Sequence, residues 1–129
     1  ARRDDYKDRM LQTSFLLDHG ANINIQGYKG RTALILAVKS NNISAVRLLL
    51  DRGADVDVQD NKGNTALMYA VFGQFEHFVP WLLEKQPRFD LKDFGGWDVL
   101  KHAESRYRSR KVEQMLKDEA QRRRRNLLK

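Results

Sequence analysis

A chain of 129 residues, 41% of them hydrophobic, has room for about one domain with a modest core and lacks the composition of a disordered segment. It has no cysteine, which excludes disulfides and thiolate metal sites and fits a reducing compartment, cytoplasmic and/or nuclear. No apolar run approaches the roughly 20 residues that span a bilayer, and the N-terminus lacks the apolar core of a signal peptide.

The net charge of +7 is confined to one end. Residues 1–100 hold 13 Lys+Arg against 13 Asp+Glu, whereas residues 101–129 hold 11 against 4. The chain opens on Ala1-Arg2-Arg3, with no initiator Met and in the middle of a repeat, and so reads as a fragment of something longer.

The repeat is plain in chain order. Phe15-Leu16-Leu17-Asp18-His19-Gly20 returns 33 residues later as Leu48-Leu49-Leu50-Asp51-Arg52-Gly53, and GANINIQ at 20–26 returns as GADVDVQ at 53–59. KGRTALILAV at 29–38 returns as KGNTALMYAV at 62–71, and residues 27–59 laid over 60–92 give 11 identities. Ordinary residue usage gives about two by chance. A degraded copy starts at Asp93, with Gly96, Leu100, Ala103, Val112 and Leu116 in register. The divisions are therefore a partial repeat at 1–26, repeats at 27–59 and 60–92, a C-terminal capping repeat at 93–118, and a basic tail at 119–129. The spacing from Ala1 to Phe15 exceeds a standard inter-helix turn and points to inserted residues around Tyr6-Lys7-Asp8.

Each unit reads as two short helices and a turn. Thr32 precedes an apolar-periodic run and caps a helix over 33–40; Asn41-Asn42 breaks it, and Asn42 caps a second helix over 43–51 that ends at Gly53. Residues 54–64 alternate Val56/Val58 with Asp55/Asp57 and close at Asn61-Lys62-Gly63, the pattern of a hairpin-like finger. Neither helix can bury its stripe alone, so the units must stack, with Leu34, Ala37, Val38, Val46, Leu49 and Leu50 shared with neighbours and Ala37, Ala70 and Ala103 small where helices press close. In the next unit Gln86-Pro87-Arg88 replaces the Gly-Ala-Asp turn, and Pro80 within the second helix is expected to bend it. In the last unit Asp98 stands where Thr caps, and Arg108, Arg110, Lys111, Glu113 and Gln114 give the polar face of a capping unit.

Period and motif together resemble the ankyrin repeat. The family pattern Gly-x-Thr-Pro-Leu-His, then small residues, Leu-Leu-Leu and Gly-Ala-Asp-Val-Asn, is matched at Gly30-Arg31-Thr32-Ala33-Leu34-Ile35, Leu48-Leu49-Leu50 and Gly53-Ala54-Asp55-Val56-Asp57, and again at Gly63-Asn64-Thr65-Ala66-Leu67-Met68. Ala33, Ile35, Ala66 and Met68 replace the family's Pro and His, so its Thr–His hydrogen bonds are missing. The resemblance implies an all-α solenoid of stacked helix-turn-helix units with hairpin-like β-turn fingers.

It also implies a non-catalytic scaffold that binds another protein, or another part of its own parent chain, through finger tips and the exposed side of each first helix. Carried over, that surface is Tyr28, Lys29, Arg31 and Lys39, then Asn61, Lys62, Asn64 and Phe72, then Phe94 and Trp97. Tyr and Trp are residue types that anchor interfaces. Phe72 suits inter-repeat packing equally well, while Gly95-Gly96 favours partial exposure of Phe94 and Trp97. The alternative is a tether to nucleic acid or an anionic surface through Arg122, Arg123, Arg124 and Arg125, a run that also reads as an import signal or as a solvated helix extension.

Enzymatic readings find no support. His19, His77 and His102 are scattered, without HExxH, P-loop or GxSxG, and Asn22, Asn24, Asp55 and Asp57 occupy repeated turn positions where they satisfy backbone donors. No metal, cofactor or small-molecule substrate is expected.

Overall fold

The computed structural model describes residues 22–105 and 109–128. Six α-helices follow one another there: α1 (Ala33–Lys39), α2 (Ile43–Asp51), α3 (Ala66–Phe72), α4 (Phe78–Leu83), α5 (Val99–Ser105) and α6 (Arg110–Leu127). Two rows result. Helix α3 touches both α1 and α5, whereas α4 and α6 pack behind them. Most of the partial repeat at 1–26, the insertion near Tyr6 and His19 lie outside the described residues.

Five of the six helix starts are set by side chains that replace missing backbone acceptors, and α4 starts without one. Thr32 and Thr65 each accept from the amide three residues on, at 3.2 and 3.3 Å, so the caps persist without the family's histidine. Asn42 caps α2 by accepting from Ala45 at 3.1 Å, and Asp98 accepts from Lys101 at 2.8 Å. Pro80 costs its helix no backbone bond. Helix α4 begins at Phe78, which puts Pro80 in the first turn, where the backbone has no intrahelical acceptor to lose.

The inter-helix turns recur in register. Asn41 and Gln74 both stand at positive φ, 53° and 56°, and Gln86 takes φ 53° where Gly53 has 82°. No strand occurs among the described residues. Each finger is hairpin-like only at its tip, closed by backbone bonds from Gly27 N to Arg31 O, Asp60 N to Asn64 O and Asp93 N to Trp97 O, at 2.9, 2.9 and 3.0 Å, and from Gly30, Gly63 and Gly96 N back to Gly27, Asp60 and Asp93 O, each at 2.9 Å.

Adjacent fingers are tied by a polar ladder. Gln26 Nε2 donates to Gly30 O within its own finger and to Gln59 O in the next, both at 2.9 Å. Gln59 repeats this with Gly63 O at 3.0 Å and Lys92 O at 2.9 Å. Asn24 Oδ1 accepts from Asp55 N and Asp57 Oδ1 from Arg88 N, at 2.8 and 2.9 Å. The carboxylates and amides of the turn thus hold the stack together. Beneath them Leu34, Ala37, Val38, Val46, Leu49 and Leu50 are buried in one core with Leu67, Phe78, Leu82, Val112 and Leu116.

At the C-terminal end, one helix runs from Arg110 through the boundary drawn at 118 and on to Leu127. Ser109 caps it and donates to Glu76 Oε1 at 2.8 Å, anchoring it to the unit before.

Candidate partner-binding face

The repeat register lays the finger-and-first-helix side of the stack out in rows. Tyr28, Asn61 and Phe94 occupy one position of the three fingers; Arg31, Asn64 and Trp97 another; Leu36, Tyr69 and His102 a third; Lys39, Phe72 and Ser105 a fourth. Fingers meet through Lys29 O and Lys62 O, which accept from Asn61 N and Phe94 N at 3.0 Å each. The approach is close. A Cβ on Gly30 would fall 2.3 Å from Asn61 Oδ1.

At the tips, Tyr28 is 81% and Phe94 82% exposed. Lys29, Asn61 and Lys62 are exposed beside them. Asn64 requires a correction. It is buried, so its side chain is not presented at the surface, and its backbone N–H donates to Asp60 Oδ1 at 2.9 Å.

Below the tips a carboxylate organises each of the last two units. Asp60 accepts from Lys62 N, Asn64 N and the Tyr69 hydroxyl. Asp93 accepts from Gly95 N and Trp97 N, and pairs with His102 Nε2 at 2.7 Å. Tyr69 and His102 are therefore one position used in two ways. Burial and the bond to Asp60 raise the Tyr69 hydroxyl above the ordinary phenol range. Burial pushes the Asp93 carboxyl up, but the Trp97 amide, His102 and the Gly95 amide outweigh it and hold it below the usual carboxylate value.

The rings form a continuous strip. Phe72 stands edge-on to Tyr69 at 5.6 Å and to His102 at 4.8 Å, and Trp97 lies 5.2 Å from His102. Phe72 thus packs between repeats while staying partly exposed, and Trp97 is also half-buried. On the other side of Tyr69 lie Arg31, half-buried, and Lys39, whose ammonium sits 5.7 Å from the Tyr69 centroid. Burial and then the charges of Arg31, Lys29 and Lys62 lower the Lys39 ammonium from its ordinary value. Tyr69 and His102 are buried beneath the face and Leu36 is exposed on it; none of the three was in the sequence-predicted surface. Their common spacing of 33 was the signal that could have found them.

The arginine run is split by the fold. Arg122 and Arg123 both bond Glu119, at 2.7 and 3.1 Å, and hold its carboxyl below the usual range against the opposing effect of burial. Arg123 also donates to Pro87 O at 2.6 Å and lies 4.3 Å over the Phe89 ring, clamping α6 to the preceding turn. Arg124 and Arg125 are exposed at the end of the helix, next to Leu127 and Leu128. Among the described residues no cluster of metal-ligating side chains occurs, and no helix is long and apolar enough to cross a membrane.

Comparison with curated proteins gives no match. A family model described as ankyrin repeats in many copies matches residues 16–70. Among solved structures, the crystal structure of the ankyrin repeat domain of Bcl-3, described as a unique member of the IkappaB protein family, is similar at TM-score 0.72 and 35% identity. That match takes in 80% of this chain and 44% of the Bcl-3 domain, so the chain spans less than half of that relative. With the 33-residue stacking unit, capped helix pairs and finger ladder already described, the chain belongs to the ankyrin-repeat family.

Proposed function

We propose that this chain is a non-catalytic scaffold that holds a partner protein, or another segment of its parent chain, on the face built from the finger tips and the first helix of each pair. Ankyrin repeats generally serve protein–protein interaction. The observation that carries the reading here is the exposure of Tyr28 and Phe94, two aromatic side chains at one register position of separate fingers. A large ring left in water gives up stabilisation that a partner can supply, and such rings dominate interface energetics. Cytoplasm or nucleus is the proposed setting.

The tether reading draws on fewer charges than the tail's composition implies. Arg122 and Arg123 are engaged by Glu119, which leaves Arg124 and Arg125 for a phosphate or anionic surface. The test is affinity capture from source lysate, with and without nuclease, using the wild type, Tyr28→Ala/Phe94→Ala and Arg124→Glu/Arg125→Glu. A nuclease-resistant protein partner is expected, weakened about tenfold or more in the aromatic variant. Recovery of nucleic acid alone, lost with the tail charges, would replace the scaffold by the tether.

A further inference from the structure

We propose that the segment held on this face is an acidic peptide with interspersed apolar residues, its carboxylates over Lys29, Arg31, Lys39 and Lys62 and its apolar side chains over Phe72 and Trp97. The inference rests on the scaffold reading and adds the chemistry of the ligand.

The repeat register grades the face from charge to rings. At the three positions occupied in the first unit by Lys29, Arg31 and Lys39, the last unit has Gly95, Trp97 and Ser105. The join lies at Tyr69, with the Lys39 ammonium on one side and Phe72 edge-on at the other.

In the cationic half Lys29 and Lys39 lie over rings, 5.3 Å from the Tyr28 centroid and 5.7 Å from that of Tyr69. Among the described residues none of the four cations is within ion-pair distance of a carboxylate, whereas Arg88, Lys111, Lys117 and Arg122 each have one. Asp60 lies beneath the group as one buried carboxylate against four cations, its oxygens accepting from Lys62 N, Asn64 N and Tyr69. Like charges gathered over a single carboxylate repel one another, and after burial the lowered Lys39 ammonium registers Arg31, Lys29 and Lys62 outweighing the opposing charge of Asp60. An incoming row of carboxylates removes it.

The aromatic half favours a peptide over a nucleic acid. Bases need an open ring face on which to stack. Phe72 is wedged edge-on between Tyr69 and His102, with interplanar angles of 83° to each. Trp97 has the Lys101 ammonium 4.9 Å over its ring and His102 at 5.2 Å. Aliphatic or aromatic side chains can pack against such a crowded strip, whereas stacked bases would be confined to the exposed rings of Tyr28 and Phe94 at the tips.

The experiment is selection of random short peptides displayed on phage against the whole chain, followed by fluorescence anisotropy of the enriched peptides and of a random single-stranded oligonucleotide. Binding is compared for the wild type, Lys29→Glu/Lys39→Glu/Lys62→Glu and Tyr28→Ala/Phe94→Ala. The three lysines are exposed, so the reversed variant should keep its helical circular dichroism; if it does not, the corresponding Gln variant gives the reading. Enriched peptides should be net acidic with apolar residues between the charges, and the lysine variant should bind them about tenfold or more weakly, as the loss of three screened ion pairs predicts. Neutral or basic enriched peptides that still depend on Tyr28 and Phe94 would overturn the acidic preference and leave the scaffold standing. Acidic peptides indifferent to the three lysines would place their site elsewhere and overturn the inference. Failure to enrich any peptide would overturn the inference while the capture experiment decides the scaffold, and oligonucleotide binding lost with the lysines would put a nucleic acid on this face.

Discussion

Gly63 and Gln86 show how single backbone positions carry the repeat. At Gly63, φ is 82° and an added Cβ would fall 2.8 Å from the Asp93 Cα, so the residue is needed both for its left-handed turn and for the close approach of the next finger. Gly63→Ala is expected to destabilise the chain by about 2 kcal/mol or more, since side-chain rotation cannot relieve a backbone clash. Gln86 has φ 53° at the position equivalent to Gly53, where a side chain is tolerated at some cost. Gln86→Gly should therefore stabilise by about 0.5–1 kcal/mol. Urea-unfolding midpoints measure both, and a Gly63→Ala midpoint equal to wild type would mean that the fingers are not packed as described. These positions were unequally legible. Gly63 was marked by its recurrence at 30 and 96, whereas the φ of Gln86 could be inferred only by alignment with Gly53.

Helix α6 shows the same contrast at the scale of an element. From composition, Arg122–Arg125 was one basic run, but residues at helical spacing point in different directions, and only Arg123 reaches the preceding turn. Its bonds to Glu119 and Pro87 O and its place over Phe89 make it a docking side chain. Arg123→Ala should cost about 1 kcal/mol and increase amide exchange along the last turns of α6, while Arg124→Ala should leave exchange unchanged. Equal exchange in the two variants would return the whole run to solvent. Pro80 fits the same lesson: the sequence identified a helix breaker, but the position where α4 starts determines whether a backbone bond is lost.

Across the molecule, acid sensitivity is concentrated at one end. Asp90, Asp93 and Glu119 are the described carboxyls held below their ordinary range: Asp90 by Arg88, Asp93 by its hydrogen bonds, and Glu119 by Arg122 and Arg123. A carboxyl depressed in the folded state adds stability that is present above its unfolded value, about 4, and is lost as pH falls through the lower folded value. Hydrogen exchange at pH 3 should therefore show α5 and α6 opening before α1 and α2, an order absent at pH 7. Asp90 is fully exposed and solvent-screened, so Asp93 and Glu119 are expected to carry the effect. Uniform opening at pH 3 would show that these carboxyls do not set local stability. Such graded opening suits a solenoid, whose units touch only their neighbours.

The sequence by itself determined the 33-residue period, the helix pairs, their Thr and Asn caps and the shared core, because each depends on residue type at a local spacing that stacking then repeats. It could also place Tyr28 and Phe94 at finger tips, since the turn positions recur. Tertiary structure alone decided that Asn64 is buried, that Arg123 is engaged, and that Tyr69 and His102 turn to Asp60 and Asp93. The reason is physical: a period assigns each residue its position in the stack, but the exposure of a side chain and the partner it finds depend on how neighbouring units press together around it.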